Sequence, residues 1–138
     1  MVNGEFSFTH EYPSLQPYNA KIILDDYSNL YNLNLSSQEI NSVQGTNLLI
    51  GIIILDLTNN NLTTIPTIVN NANIESLSFN GNYITETSLN DTLVYLDSTF
   101  INAFSFTSRD QTPSAIPSGV GEIAANNLRA NGCNIITD

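Results

Sequence analysis

Residues 52–65 read IIILDLTNNNLTTI, and this stretch carries the pattern from which the rest of the chain can be interpreted. Apolar side chains and one amide recur along it in the spacing Ile52-x-x-Leu55-x-Leu57-x-x-Asn60-x-Leu62-x-x-Ile65. Leu55 and Leu57 alternate with other residues, which is typical of a short strand with one buried face. The pattern therefore predicts a strand whose leucines point inward, followed by a turn that contains Asn60.

The same spacing occurs on both sides of this stretch, in one copy that starts at Leu30 and another that starts at Ile74, so the three copies are equally spaced. The two flanking copies read Leu30-x-x-Leu33-x-Leu35-x-x-Gln38-x-Ile40-x-x-Val43 and Ile74-x-x-Leu77-x-Phe79-x-x-Asn82-x-Ile84-x-x-Thr87. A shorter fourth copy, Ile101-x-x-Phe104-x-Phe106, begins later than equal spacing would place it, and a helix-like segment at residues 88–96 accounts for the extra length. Because no single copy can bury its apolar face alone, we expect the copies to stack.

An amide side chain occupies the same position in each of the three full copies, as Gln38, Asn60 and Asn82. The turn after each strand contains backbone groups that no neighbouring strand can pair. A side-chain amide is both donor and acceptor, so it can satisfy them. Leaving such buried groups unpaired costs about 1–3 kcal/mol each. The three residues are therefore predicted to form a structural amide ladder inside the stack.

This spacing resembles the leucine-rich repeat, LxxLxLxxNxL. The resemblance implies an α/β solenoid, a right-handed coil of parallel strands with a 22-residue period. Residues 89–138 contain, in order, an acidic-apolar helix, a strand, a Ser/Pro-rich loop, an Ala-rich helix ending at Gly132, and a last strand. That order resembles the closing unit of leucine-rich repeat proteins found in bacteriophages and phage-like bacterial sequences. It implies a C-terminal helix–strand cap.

The length of 138 residues suits one domain overall, in which we distinguish three parts. They are an N-terminal extended arm at residues 1–20, the leucine-rich repeats at 21–107 and the cap at 108–138. The cap is predicted to contain a helix at 118–131 with one apolar face. The members of that face are Val120, Ile123, Ala124 and Leu128.

Charge and cysteine content exclude several classes of partner. Thirteen acidic residues against three basic ones, Lys21, Arg109 and Arg129, make the net charge −10. This balance argues against nucleic acid and against an anionic membrane surface. Cys133 is the single cysteine, which excludes an intrachain disulfide and a cysteine zinc site. We expect no membrane insertion and no leader at the start, because no apolar run is long enough and the first residues lack a basic, then apolar, pattern.

The sequence also lacks the arrangements that catalysis and metal binding need. His10 is the single histidine and has no nucleophile with an orienting acid near it. Cys133 has no basic neighbour to lower its pKa, so a buried inert thiol is expected. Asp56 begins a segment like a calcium loop, but the Gly and Glu of such loops are missing. We therefore expect a protein that is not an enzyme, with no catalytic residue, no bound metal and no cofactor.

Two surfaces are candidates for binding a protein partner. The first is the outward strand face, which the leucine-rich repeat resemblance makes concave: Asn32, Asn34, Ile54, Asp56, Ser76, Ser78 and Asn80. A solvated face without a ligand is the alternative. The second is an anchor in the arm, made of aromatic residues: Phe6, Phe8, Tyr12 and Tyr18. The arm can instead cover the first repeat as a cap, and both roles are compatible.

The phage resemblance implies a non-enzymatic virion structural or accessory protein. In this interpretation the chain is a bacteriophage capsid decoration or a tail-associated protein, located in the virion and bound to capsid or tail proteins. The alternative is a host-recognition or adhesion module that binds a surface protein or glycan through the concave face, at a bacterial cell surface. A third interpretation is a cytoplasmic effector that binds one host protein.

Overall fold

The computed structural model describes residues 30–46, 51–68, 73–99 and 102–138. The predicted arm at residues 1–20, with its anchor candidates Phe6, Phe8, Tyr12 and Tyr18, lies outside the described residues. His10 and Lys21 lie outside them as well.

The described residues form an α/β arrangement of one five-stranded parallel sheet and two helices. The strands follow one another across the sheet in chain order, each paired with the next. They are β1 (Asn32–Asn34), β2 (Ile54–Asp56), β3 (Ser76–Ser78), β4 (Ser105–Ser108) and β5 (Asn134–Thr137). Helix α1 (Glu86–Thr99) connects β3 to β4, and helix α2 (Gly119–Ala130) connects β4 to β5.

The middle apolar residue of each strand lies beside its counterpart in the next strand. Leu33 pairs with Leu55, and Leu55 pairs with Leu77, so equivalent residues of successive copies are direct neighbours in the first three strands. Leu55 and Leu77 are both buried, as the alternation in the sequence predicts. Behind them, Phe79 and Phe106 are fully buried with ring centroids 5.8 Å apart. The inward face of the sheet is therefore one side of the hydrophobic core.

The fourth strand lies in a different register from the one the sequence predicts. Leu77 pairs with Phe106, whereas the predicted alignment of Ile74 with Ile101 places Leu77 beside Phe104. Ser108 consequently takes the inward position that Phe79 holds in the preceding segment, and it is fully buried, with no hydrogen-bond partner for its hydroxyl among the described residues. The residues inserted with α1 remove the constant spacing, so counting along the chain no longer predicts the register there.

Helix α1 is longer than the predicted 88–96 and buries Leu89, Leu93 and Leu96. The buried face of helix α2 shares Ala124 and Leu128 with the predicted face but is otherwise different. Val120 and Ile123 are 70% and 62% exposed, while the buried residues are Gly121, Ala124, Ala125 and Leu128. A Cβ at Gly121 would overlap the side chain of Asn90. The small residues therefore face α1, because only they allow so close an approach between the helices.

Asn60 links its own turn to the preceding one. Its side chain is 3% exposed. The Oδ1 atom accepts hydrogen bonds from the backbone N–H groups of Gln38 and Ile40, both at 3.0 Å, and Nδ2 donates to the carbonyls of Leu35 at 2.8 Å and Leu57 at 3.0 Å. One amide therefore satisfies four backbone groups that the parallel sheet leaves unpaired.

Asn82 makes the same kind of link one turn later. It is 1% exposed, accepts from the N–H of Leu62 at 3.0 Å, and donates to the carbonyls of Leu57 at 3.0 Å and Phe79 at 2.9 Å. The carbonyl of Leu57 thus receives hydrogen bonds from both Asn60 and Asn82. The two buried amides lie in adjacent turns and share a backbone acceptor.

Gln111 provides a further buried amide that the sequence pattern does not predict. It is 6% exposed, accepts from the N–H of Ile84 at 2.9 Å and donates to the carbonyls of Phe79 at 2.9 Å and Arg109 at 3.1 Å. Its own N–H donates to the carboxylate of Asp138, 3.2 Å away. Once Phe106 is aligned with Leu77, Gln111 falls at the position of Asn82.

Gln38 differs from the buried amides. Its side chain is exposed, and Nε2 donates only to the nearby carbonyls of Ser36 at 3.0 Å and Ser37 at 3.2 Å. Within the described residues it therefore stabilises its own turn without joining a second one. The predicted ladder of Gln38, Asn60 and Asn82 corresponds in the structure to Asn60, Asn82 and Gln111.

We expect Asn60→Ala to lower the free energy of unfolding by roughly 3 kcal/mol, since buried backbone groups lose their partners. The matched control is Asn61→Ala. Asn61 is half-buried and its side chain makes one long hydrogen bond, from Nδ2 to the carbonyl of Glu39 at 3.3 Å. Its removal should cost no more than about 0.5 kcal/mol. Equal melting temperatures for the two variants would contradict this role of Asn60.

The two glutamines allow a second comparison with the same substitution. Gln111→Ala should destabilise the protein by roughly 2 kcal/mol, because it leaves buried turn groups unpaired. Gln38→Ala should change stability by less than about 0.5 kcal/mol, because its side chain is exposed. Urea denaturation followed by circular dichroism measures both. If Gln38→Ala lost more stability than Gln111→Ala, the expectation that Gln111 contributes more to stability would be wrong.

Candidate functional site

The sheet register brings the outward strand face together. Asn32, Ile54 and Ser76 form one row across the first three strands, and Asn34, Asp56 and Ser78 form the next. Asn32 and Asn34 are exposed, and the other members of the face, including Asn80 beyond the end of β3, are half-buried. All seven predicted members therefore lie on or directly after three adjacent strands.

Several side chains of this face are held by the backbone near the strand ends. Asn34 Oδ1 accepts hydrogen bonds from the N–H of Ser36 at 2.9 Å and its hydroxyl at 2.7 Å. Asp56 Oδ1 accepts from the N–H of Thr58 at 3.0 Å, and Asn80 Oδ1 accepts from the N–H of Arg109 at 2.8 Å. Such local bonds are typical of Asn and Asp in turns. They restrict the side chains to one orientation, so the face is short, polar and ordered before any partner arrives.

A second surface, which the sequence did not predict, lies where the strands turn into the following loops. We call it the turn-edge groove. It is a cavity of about 290 Å³. Its lining residues come from three successive turns: Asn59, Asn60, Asn61, Gly81, Asn82, Tyr83, Asp110 and Thr112. The lining holds amides, hydroxyls, one carboxylate and one aromatic ring, and no Lys, Arg or His.

Left-handed backbone conformations shape this groove. Asn59, Gly81 and Asp110 have φ angles of 54°, 64° and 58°, and each directly precedes a buried amide. Asn and Asp tolerate this conformation better than most residues, and Gly adopts it without steric cost. The sequence does contain a signal for it, since Asn59, Gly81 and Asp110 are all residues suited to such turns. However, Asp110 can be recognised as the equivalent of Asn59 and Gly81 only after Gln111 has been aligned with Asn82.

The described residues also include acidic side chains, a cysteine and two helices. These residues contain no group of three or more His, Cys, Asp or Glu side chains placed to hold a metal ion. Cys133 is buried, with its Sγ 4.0 Å from the carbonyl oxygen of Asn102. Neither helix of the described ranges is long and apolar enough to cross a membrane.

In comparisons with known proteins, no family model, no curated protein and no solved structure matches the chain. Any assignment of function rests therefore on the chain's own residues and on the surfaces that they form. The outward strand face and the turn-edge groove are the two surfaces with the clearest geometry.

Proposed function

We propose that this chain is a leucine-rich repeat module that binds another protein, and that it acts as a structural or accessory protein of a bacteriophage virion. The main support for a leucine-rich repeat module is that the buried amides of Asn60 and Asn82 are each hydrogen-bonded to the turn before their own. In addition, the first three strands pair equivalent residues of successive sequence copies. This arrangement is the one expected of a right-handed repeat coil with parallel strands. It supports a solenoid that displays its sheet to a partner.

The outward strand face is the proposed protein-binding surface. Its amides and hydroxyls are ordered by hydrogen bonds within the chain, so little side-chain entropy is lost on binding. Its single carboxylate, from Asp56, makes it nearly neutral, although the chain as a whole carries a charge of −10. A partner would therefore meet polar groups of fixed direction, which favours specific contacts over attraction by charge.

The virion assignment is supported by the order of the C-terminal elements. Helix α1, strand β4, the loop with Pro113 and Pro117, helix α2 and strand β5 follow one another as they do in the phage-type closing unit. In this proposal the unit closes the repeat coil, and the arm at residues 1–20 attaches the module to a capsid or tail protein. The solenoid is then displayed on the outside of the particle.

The test of the virion proposal is co-sedimentation of the full chain with purified particles of the phage that carries its gene. We expect a constant number of copies per particle. The double substitution Phe6→Ala and Phe8→Ala should reduce the bound amount at least about tenfold, because two aromatic anchors are lost. Tyr31→Ala, at a tyrosine that is 53% exposed beside β1, is the matched control and should bind normally. Unchanged binding of the double variant would refute the arm as the anchor.

Host recognition is the second candidate, favoured by the ordered outward strand face itself. In that case the full chain should bind host cells, and either Asn34→Arg or Ser78→Arg should abolish binding, since a long cation would disturb the short polar surface. Ala130→Arg adds the same charge at an exposed position at the end of α2 and should leave binding intact. Flow cytometry with labelled protein measures all three. Full binding by the Asn34 and Ser78 variants would exclude this face.

A further inference from the structure

We propose that the turn-edge groove is a binding site for a neutral carbohydrate, with room for about one sugar ring. The site lies beyond the ends of β2, β3 and β4, next to the outward strand face, and the inference does not depend on the function proposed above. Its volume of 290 Å³ is near the lower limit of roughly 300 Å³ for small-molecule sites. Four observations about its walls and floor support this assignment.

The groove is formed by three successive turns, with Gly81 in the middle one. Asn59, Gly81 and Asp110 occupy equivalent places in three successive turns, with backbone hydrogen bonds from Asn59 N–H to the carbonyl of Asn80 and from Gly81 N–H to that of Arg109, both 2.8 Å. Gly81 has no side chain between its two neighbours. The amide of Asn59 lies over it, where any Cβ would overlap Asn59 Oδ1. The result is a depression with an amide on one side and a carboxylate on the other.

The polar groups around the depression are available for a ligand. Asn59, Asp110 and Thr112 line the groove, and their side chains make no hydrogen bond with any residue that the structure describes. Together they offer an amide donor, several acceptors and a hydroxyl that can act as either. Adjacent sugar hydroxyls, which both donate and accept, match such a mixed set.

Tyr83 is the aromatic residue of the lining. It lines the groove, is 47% exposed, and its side chain has no hydrogen bond within the described ranges. An aromatic ring with a polar tip can contact the C–H face of a pyranose while its hydroxyl bonds a neighbouring oxygen. The N–H of Tyr83 donates to the carbonyl of Leu62 at 2.8 Å, and that of Thr112 to the carbonyl of Asn82 at 3.0 Å. The walls are therefore held by the backbone.

The charge of the lining selects among ligand classes. Asp110 is the one ionisable carboxylate in the groove, and no cationic side chain lines it. Phosphates, nucleotides and carboxylated ligands would meet uncompensated negative charge. A divalent cation would find a single carboxylate, fewer than a dedicated site normally supplies. A neutral polyol ring is the ligand class that uses the amides, the hydroxyl and the aromatic ring together.

The test is a nuclear magnetic resonance titration of the full chain, labelled with ¹⁵N, using methyl α-D-glucopyranoside, methyl α-D-mannopyranoside, methyl β-D-galactopyranoside and N-acetylglucosamine. We expect at least one of these sugars to shift the backbone amide of Gly81 and the side-chain amide of Asn59. The Kd should be about 1 mM, as a shallow site for one ring implies. If none of the sugars shifts these signals at high millimolar concentration, the proposal is overturned.

Substitutions then locate the binding site. Tyr83→Ala should weaken the titrated affinity about tenfold, while Tyr31→Ala, at another exposed tyrosine outside the groove, should leave it unchanged. Gly81→Asn is a second variant that places a side chain in the groove, with a residue that tolerates the left-handed conformation as Asn59 does. It should abolish the sugar-induced shift of the Asn59 side-chain amide. Retained binding in both groove variants, or an equal loss in Tyr31→Ala, would overturn the assignment.

Discussion

The structure depends on hydrogen bonds from buried side-chain amides to the backbone of the preceding turn. Parallel strands pair only along their length, so the carbonyl and N–H groups of the turns need other partners in a region from which water is excluded. Asn60 and Asn82 supply both kinds of partner, and each spans two turns. If these amides were absent, burying the neighbouring apolar residues would leave the turn carbonyl and N–H groups without hydrogen-bond partners.

This constraint also explains why two different surfaces are ordered. On one side of the buried amides, the strands carry short polar residues whose orientations are fixed by local hydrogen bonds, as at Asn34 and Asp56. On the other side, the left-handed residues that lead into the amides leave a depression at Gly81. The protein partner and the sugar proposed above would therefore bind different edges of one scaffold.

The insertion of α1 interrupts the constant spacing, so the spacing does not predict the register of the strand that follows. Up to Asn82, the constant spacing places equivalent residues of successive copies side by side. The first three strands, their inward leucines and the buried amides Asn60 and Asn82 therefore lie where the pattern predicts them. Beyond it, Leu77 pairs with Phe106 and not with the predicted Phe104. Gln111 then serves as the next buried amide. Ser108, although polar, is carried into the core by the alternation of the strand.

The sequence by itself determined the first three strands, their inward residues and the buried amides Asn60 and Asn82, because these follow from a local spacing that recurs at constant intervals. Tertiary structure alone decided which face of α2 is buried and where the groove opens. The packed face of α2 is set by the close approach of Gly121 to Asn90 on α1, and not by the most apolar stripe. The groove joins Asn59, Gly81 and Asp110. Asn59 and Gly81 are related by the constant spacing, but Asp110 joins them only because Phe106 pairs with Leu77, and the spacing across the inserted helix does not indicate that register.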